Sequence, residues 1–224
     1  MAPGVQGQKV DKLPSQEIYD KFENAENCAH LGRGKSKAEI VGNVKLVLGL
    51  YQIKEEKVAT EIFNAWCHAC SEGGDQDSQN NACHFLFYWI GDRIKDKLNV
   101  IELYDVMKVI YHNLPLGQCN NNCRNIYDDI SGAFFKWAKD LWDYEYNFST
   151  LKGQRDCSGY TSNPKYTEQL TASQEAYKEL CDRCDDSVDS YCMKIKREHI
   201  DTKKCRTWKP TGLNCKIIQE SVVP

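Results

Sequence analysis

The fold of this 224-residue chain is best inferred from residues 81–98, Asn81-Ala-Cys-His-Phe-Leu-Phe-Tyr-Trp-Ile-Gly-Asp-Arg-Ile-Lys-Asp-Lys-Leu98. Apolar side chains recur there at the three- and four-residue spacing of a helix, at Cys83, Phe87, Ile90 and Ile94. The intervening apolar residues widen this face: Phe85, Leu86, Tyr88 and Trp89. A helix that is apolar on most sides needs neighbours on most sides. The run therefore predicts a central helix in a helical core.

The rest of the chain is also patterned as helices. They are predicted over residues 16–26, 36–51, 55–71, 100–113, 121–148, 164–186 and 187–199. Ser15, Ser36, Asn99 and Asn163 are the predicted N-caps. The helix over 121–148 is the longest, with an apolar stripe of Ile126, Ile130, Phe134, Trp137, Leu141 and Tyr144. No segment alternates with the two-residue period of a strand, so we predict an all-α fold of about eight helices with a long central helix.

The chain contains 12 cysteines, a high number for its length. An even number along the whole chain suits a disulfide framework, which persists where the environment is oxidising. We predict a disulfide-stabilised ectodomain in which all are candidates: Cys28, Cys67, Cys70, Cys83, Cys119, Cys123, Cys157, Cys181, Cys184, Cys192, Cys205 and Cys215. We expect a bridge from the Cys67/Cys70 pair to Cys83 or Cys28. The alternative is a reduced intracellular protein whose thiols are buried as small hydrophobic groups.

The chain is divided into three segments. Residues 1–12 are polar and lack the apolar stretch of a secretory signal, which predicts a flexible N-terminal segment. Residues 13–202 carry the predicted helices and form one helical domain, and residues 203–224 form a tail held by cysteines. No window approaches the roughly 18 apolar residues of a membrane-spanning helix. We therefore predict no membrane-spanning helix within this sequence.

The charge of the chain gives no reason to expect a nucleic-acid partner. Its formal net charge is −3 and its isoelectric point is near 6.0. Binding to nucleic acid or to an anionic membrane surface requires a basic patch that this balance does not provide.

Two CxxC pairs are the strongest candidates for metal or redox chemistry. Cys67/Cys70 and Cys181/Cys184 are separated by 110 residues, whereas the paired motifs of a structural zinc site lie about 12–20 residues apart. Both pairs fall inside predicted helices, where residues three apart share one face and can each reach a neighbouring segment. No hydrolase, nucleotide-binding or calcium-loop motif is present. We therefore predict no catalytic residue, no metal and no cofactor, and a protein that is not an enzyme.

A single glycosylation sequon is present, at Asn147-Phe148-Ser149, because Asn163 is followed by Pro164. It makes Asn147 a possible glycosylation site. Such triplets also occur by chance.

Three tryptophans lie on the predicted apolar stripes: Trp66, Trp89 and Trp137. We expect all three in the core. Trp142 lies beside the stripe of its helix and is expected to cover a neighbouring loop.

Two segments resemble a family of variable parasite proteins. The opening Leu13-Pro-Ser-Gln-Glu-Ile-Tyr-Asp-Lys-Phe22 resembles that of Plasmodium interspersed repeat (PIR) proteins, especially the Vir and Kir branches. The run from Cys83 to Asp92 is similar to their cysteine-led aromatic helix, but has Phe87 where asparagine is frequent and ends in Gly91-Asp92. The order of the later cysteine-containing helices is also similar, so the resemblance covers most of the chain.

The resemblance implies a variant antigen that is exported from the parasite to the surface or membrane of the infected host red cell. It also implies that membrane attachment occurs only through a transmembrane segment that is absent from this chain. The implied roles are antigenic variation, adhesion and immune evasion, with a host cell-surface receptor or an antibody as partner. The alternative is an exported intracellular scaffold at the host membrane skeleton. Exposed polar loops are the expected recognition surfaces, namely residues 72–79, 120–122, 152–162 and 203–213.

Overall fold

The computed structural model describes residues 12–26, 36–54, 56–71, 76–98, 103–114, 123–152, 157–185, 187, 190–198 and 209–214. These residues form helices and no strand: α1 (Pro14–Glu23), α2 (Lys37–Leu50), α3 (Glu56–Ser71), α4 (Gln76–Lys95), α5 (Leu103–Asn113), α6 (Gly132–Lys152), α7 (Ser158–Thr161), α8 (Pro164–Cys184) and α9 (Ser190–Glu198). The predicted all-α fold of about eight helices is confirmed. The short helix α7 was not predicted.

The chain divides into two compact units. The N-terminal unit comprises Ile18–Phe135, and the C-terminal unit combines Met1–Glu17 with Lys136–Pro224. The unit boundaries fall within α1 and α6, so each of these helices contributes residues to both units. The predicted extents of the flexible segment, the helical domain and the tail remain predictions.

Helix α4 is the centre of the N-terminal unit. It packs against α3 and α5, and α2 packs against the same two helices. Six consecutive α4 side chains are at most 3% exposed, namely Phe85, Leu86, Phe87, Tyr88, Trp89 and Ile90. Such burial on every side confirms the central position predicted from the aromatic run. The helix begins at Gln76 instead of residue 81, because the polar residues before the run continue the helix instead of forming a turn.

Of the predicted N-caps, Ser36 and Asn163 are confirmed and Ser15 is wrong. Helix α1 begins at Pro14, so Ser15 lies inside its first turn. Ser36 precedes α2 in an extended conformation, and its hydroxyl accepts a hydrogen bond from the Glu39 N–H. Asn163 caps α8 in the same way through the Lys165 N–H, with Pro164 in the first turn. The predicted cap Asn99 lies outside the described residues.

The predicted helix over 121–148 is wrong at its start. Residues 123–131 are not helical, and α6 begins at Gly132 and continues to Lys152. At 21 residues it is equal in length to α8, so it is not the single longest helix. Asn125, Asp128, Asp129 and Ser131 favour turns and caps over helix interiors, because their side chains compete for the backbone hydrogen bonds.

The buried stripe of α6 is displaced by one residue from the predicted one at its N-terminal end. Phe135 and Ala138 are at most 1% exposed, whereas Phe134 and Trp137 are only half-buried. The Trp137 ring lies under the Arg183 guanidinium, 4.9 Å from its central carbon. The predicted core position of Trp137 is therefore wrong, while those of Trp66 and Trp89 are confirmed at 2% and 3% exposure.

Gly91 permits the close packing of α4 against the start of α6. A Cβ atom built at Gly91 would overlap the Phe135 ring, and Phe135 is 0% exposed. We therefore expect Gly91→Ala to lower the free energy of unfolding by about 1–3 kcal/mol, as overpacking of a core does. Gly42→Ala is the matched control, since nothing lies within 4 Å of its added methyl group. It should raise helix stability by about 0.5–1 kcal/mol. Equal effects of the two substitutions in urea unfolding would contradict the packing argument.

Candidate interaction surfaces

The non-helical segment before α6 forms the first candidate surface. We call residues 123–131 the stapled loop, because Cys123 is disulfide-bonded to Cys83 on α4. The two Cα atoms are 5.0 Å apart, and the bridge joins positions 40 residues apart in the sequence. The start of the loop is thus fixed covalently to the central helix.

Buried aromatic side chains fix the rest of the stapled loop. Tyr127 is 1% exposed, and its ring meets that of Phe87 edge-on with 5.5 Å between centroids. Phe87 lies one helical turn after Cys83, and Gly91, which receives Phe135, lies one turn further. The chain from Cys123 to Phe135 therefore runs in the same direction as α4. Three anchors, Cys123, Tyr127 and Phe135, contact α4 at three successive helical turns.

The charged side chains of the stapled loop point to solvent. Arg124, Asp128 and Asp129 are all exposed between the buried anchors. A surface held in one conformation loses less conformational entropy on binding than a mobile one. The loop therefore presents a pre-organised charged surface. The sequence pattern predicts a helix over these residues and therefore does not indicate this surface.

The outer face of α2 is the second candidate surface. Leu46 and Leu50 lie one helical turn apart and are 71% and 79% exposed. Gly42 and Gly49 lie on the same side, with Gly49 exposed and Gly42 half-buried. Together the two leucines form a small apolar patch on adjacent turns of the helix.

An ion-pair cluster joins α1, α3 and α4 in the N-terminal unit. The Arg93 Nη2 atom lies 2.9 Å from Glu23 Oε2 and 3.0 Å from Glu61 Oε2. The guanidinium also lies over the Trp89 ring, 5.4 Å from its centroid, and the Trp89 Nε1–H donates to Glu23 Oε1 at 3.0 Å. Both carboxylates are engaged by one cation, so the cluster cross-links three helices and resembles a structural clamp more than an acid–base site.

Two tyrosines of the C-terminal unit hold a non-helical segment, residues 209–214, that we call the C-terminal strap. The Tyr144 hydroxyl donates to the Thr211 carbonyl (3.0 Å) and accepts from the Thr211 N–H (2.9 Å). The Tyr166 hydroxyl accepts from the Leu213 N–H at 2.6 Å. Burial raises the pKa of both hydroxyls. The described part of the predicted cysteine-held tail is therefore attached by tyrosines.

The sequon residue Asn147 is part of the interior. It is 1% exposed, and its Oδ1 accepts from the Ser15 N–H at 2.7 Å. Its Nδ2 donates to Ser15 Oγ (2.8 Å) and to Gln169 Oε1 (2.6 Å). A glycan on Nδ2 would displace both acceptors, so this fold contradicts the predicted glycosylation at Asn147.

We expect Asn147→Ala to lower the free energy of unfolding by about 1–3 kcal/mol, because it leaves the buried Ser15 groups unsatisfied. Ser149→Ala is the matched control. It removes the same sequon at an exposed residue whose hydroxyl bonds only locally, to the Tyr146 carbonyl. Its effect should stay within about 0.5 kcal/mol. Urea unfolding measures both changes. After secretion from a eukaryotic host, the masses of Ser149→Ala and of the unsubstituted chain should differ only by the oxygen atom that the substitution removes. A glycan found on folded protein would contradict the assignment.

All eight described cysteines are disulfide-bonded. Cys184 on α8 pairs with Cys192 on α9, eight residues away. Cys67, Cys70, Cys157 and Cys181 are bonded as well. The expected bridge from the Cys67/Cys70 pair does not go to Cys83, because Cys83 pairs with Cys123. The alternative partner, Cys28, lies outside the described residues, so that part remains a prediction. Four candidates lie outside the described residues: Cys28, Cys119, Cys205 and Cys215.

The predicted recognition loops are only partly described. Residues 76–79 of the first loop belong to α4, and residues 158–161 of the third form α7. Residues 209–213 of the fourth lie in the C-terminal strap. Residues 72–75, 120–122, 153–156 and 203–208 lie outside the described residues.

Two other kinds of functional feature are absent from the described residues. Among the described residues, no helix combines the length and apolarity needed to cross a bilayer. The same residues hold no group of three or more His, Cys, Asp or Glu side chains arranged for a metal ion. Comparison with protein-family models, curated proteins and solved structures finds no match to the chain.

Proposed function

We propose that this chain is the receptor-binding ectodomain of a PIR-type variant antigen, displayed on the malaria-infected red cell. The observation that carries the proposal is that every described cysteine is disulfide-bonded. Such a framework is typical of a protein exposed to an oxidising environment. The family resemblance of the opening segment and of the α4 run supplies the biological context.

The binding surface that we propose is the stapled loop. Its exposed charges, Arg124, Asp128 and Asp129, are carried on a segment that is anchored to the most deeply buried helix. Changing these side chains leaves the anchors in place, so the surface can vary between members without loss of the fold. A host cell-surface protein or an antibody is the expected partner.

The test is a binding screen of the domain against host cell-surface receptors. Any receptor that binds is measured again with Arg124, Asp128 and Asp129 all changed to alanine. The control changes Glu175, Lys178 and Asp182 on α8, which are exposed and alter the net charge equally. Loss of binding in the loop variant alone supports the proposal. Unchanged binding in both variants places recognition elsewhere.

Cellular location and thiol state distinguish the ectodomain proposal from the alternative of an intracellular scaffold. Antibodies to the folded domain should label infected red cells without permeabilisation, and thiol titration of the native protein should find few reactive cysteines. Labelling only after permeabilisation, together with most of the 12 thiols reactive, would overturn the ectodomain proposal in favour of the scaffold.

A further inference from the structure

The C-terminal strap crosses α8 in the direction opposite to that helix. Tyr166 and Gln174 lie two turns apart on one face of α8, about 12 Å along its axis. The Gln174 Nε2–H donates to the Pro210 carbonyl at 2.9 Å, and the Tyr166 hydroxyl accepts from the Leu213 N–H at 2.6 Å. A segment that joins these two side chains in three residue steps of roughly 3.3–3.6 Å each is close to extended.

The helices bind the main chain of the strap and not its side chains. Their hydrogen-bonding groups are the side chains of Tyr144, Tyr166 and Gln174. In the part of the chain that the structure describes, these groups bond the Pro210 carbonyl, both main-chain groups of Thr211 and the Leu213 N–H. The Thr211 side chain itself is exposed. Recognition through main-chain groups tolerates different side chains, as in other sites that bind extended peptides.

Pro210 gives the site its selectivity. It is buried, whereas Lys209 and Thr211 on either side of it are exposed. Proline has no N–H, so its burial leaves no donor unsatisfied. A proline in place of Thr211 or Leu213 would instead remove an N–H that a tyrosine accepts. The site therefore fits an extended segment that has proline at one position and a free N–H at the first and third positions after it.

Few buried side chains hold the strap in place. Pro210 is buried and Leu213 is half-buried, and the other four strap residues are exposed. Segments with little buried apolar surface open locally at a lower free energy than the whole domain. Tyr144 and Tyr166 are 3% and 5% exposed while the strap is bound. Opening of the strap removes the main-chain partners of both hydroxyls, which can then bond another segment.

We propose that Tyr144, Tyr166 and Gln174 form a peptide-docking site and that the strap is its intramolecular occupant. The ligand is an extended segment of a partner protein with the same proline pattern, which displaces the strap. The strap demonstrates that a segment of this chemistry fits the site. Because a tethered segment acts at an effective concentration of millimolar order, the strap inhibits docking until a partner displaces it. The inference is independent of the receptor-binding proposal, because it concerns a surface of the C-terminal unit.

Peptide binding to the full chain tests the site. The probe is a fluorescent peptide with the sequence of residues 209–214 and blocked ends, and anisotropy measures its binding. The double variant Thr211→Pro and Leu213→Pro removes two donors of the chain's own strap without changing any helix. It should bind the peptide about ten-fold more tightly than the unsubstituted chain, because the competing strap is weakened. Thr211→Ala keeps its N–H and is the matched control, with binding like that of the unsubstituted chain.

Circular dichroism should show the same helix content in the three chains. An absence of saturable binding to the double proline variant at millimolar peptide overturns the proposal. Equal binding to the double proline variant and to the unsubstituted chain overturns the inhibitory role of the strap.

Two changes test whether the main chain is recognised. The same peptide methylated on the nitrogen of Leu213 should lose binding, whereas a peptide with Thr211→Ala should bind like the parent. In the double proline variant, the further change Tyr166→Phe keeps the ring and removes the acceptor of the Leu213 N–H. It should weaken peptide binding several-fold. Equal binding of the methylated and the parent peptide overturns main-chain recognition.

Hydrogen exchange and sedimentation velocity test the displacement and the occupant. In the unsubstituted chain the amides of Thr211 and Leu213 should exchange faster than those of α6 around Tyr144. Equal protection would mean that the strap opens only when the unit unfolds, which overturns displacement. The unsubstituted chain should sediment as a monomer of 25.7 kDa. Self-association that the double proline variant loses would identify the strap of a second copy as the occupant and overturn the assignment to a partner protein.

Discussion

Replacing Trp89 with alanine is expected to cost about 3–5 kcal/mol of the free energy of unfolding. The side chain is 3% exposed and its ring meets that of Phe22 edge-on, with 6.2 Å between centroids. Its Nε1–H also donates to Glu23, and Arg93 lies over its ring. The substitution therefore leaves a large cavity and weakens the ion-pair cluster that joins α1 to α4.

Urea unfolding followed by circular dichroism measures this effect. Trp89→Phe is the intermediate variant, because it keeps an aromatic ring in the core, removes the hydrogen bond to Glu23 and leaves a smaller cavity than alanine does. Its cost should therefore be smaller than that of Trp89→Ala. Trp137→Ala is the matched control. Trp137 is half-buried, and much of its ring lies against the exposed Arg183. If Trp137→Ala destabilises the protein as much as Trp89→Ala, the burial described for α6 is wrong.

Helix α4 can be predicted from the sequence because apolar residues occur on every side of it, so the prediction does not depend on which side faces the core. Six consecutive apolar or aromatic residues are buried whichever side of the helix faces the core. The N-caps Ser36 and Asn163 are equally predictable, because a capping interaction involves residues two or three positions apart. Interactions between residues this close in the sequence can be predicted from the sequence alone.

The stapled loop could not be predicted because its apolar spacing imitates a helix. Ile126 and Ile130 lie four residues apart, continuing the stripe of α6. In the structure Ile130 is buried although it lies in a non-helical segment, and Ile126 is half-buried. The segment is shaped by the bridge between Cys123 and Cys83, and disulfide pairing cannot be read from spacing alone.

The burial of Asn147, by contrast, was within reach of sequence reasoning. Leu141, Tyr144 and Asn147 follow one another at three-residue intervals, and all three are buried on α6. The same stripe that predicted the core position of Leu141 and Tyr144 thus extends to the asparagine. The sequence does not indicate that Ser15 is the hydrogen-bond partner of Asn147, because the two residues are 132 positions apart.

Removing the Cys83–Cys123 bridge by changing both cysteines to alanine is expected to cost about 4 kcal/mol of the free energy of unfolding. The bridge closes a segment of 40 residues, and its loss increases the conformational entropy of the unfolded chain. The same double substitution at Cys184 and Cys192 is the matched control, with a separation of only 8 residues. It should cost about 2.5 kcal/mol on the same entropic model.

Hydrogen exchange distinguishes the local effects of the two bridges. Without Cys123 the stapled loop loses one of its three anchors along α4, so the amides of residues 124–131 should exchange faster. The variant at Cys184 and Cys192 should leave exchange in the stapled loop unchanged, because that bridge lies in the other unit. Unchanged exchange in the Cys83/Cys123 variant would mean that Tyr127 and Phe135 alone hold the loop. The pre-organisation of the proposed binding surface would then come from aromatic packing, and the bridge would stabilise the fold without shaping that surface.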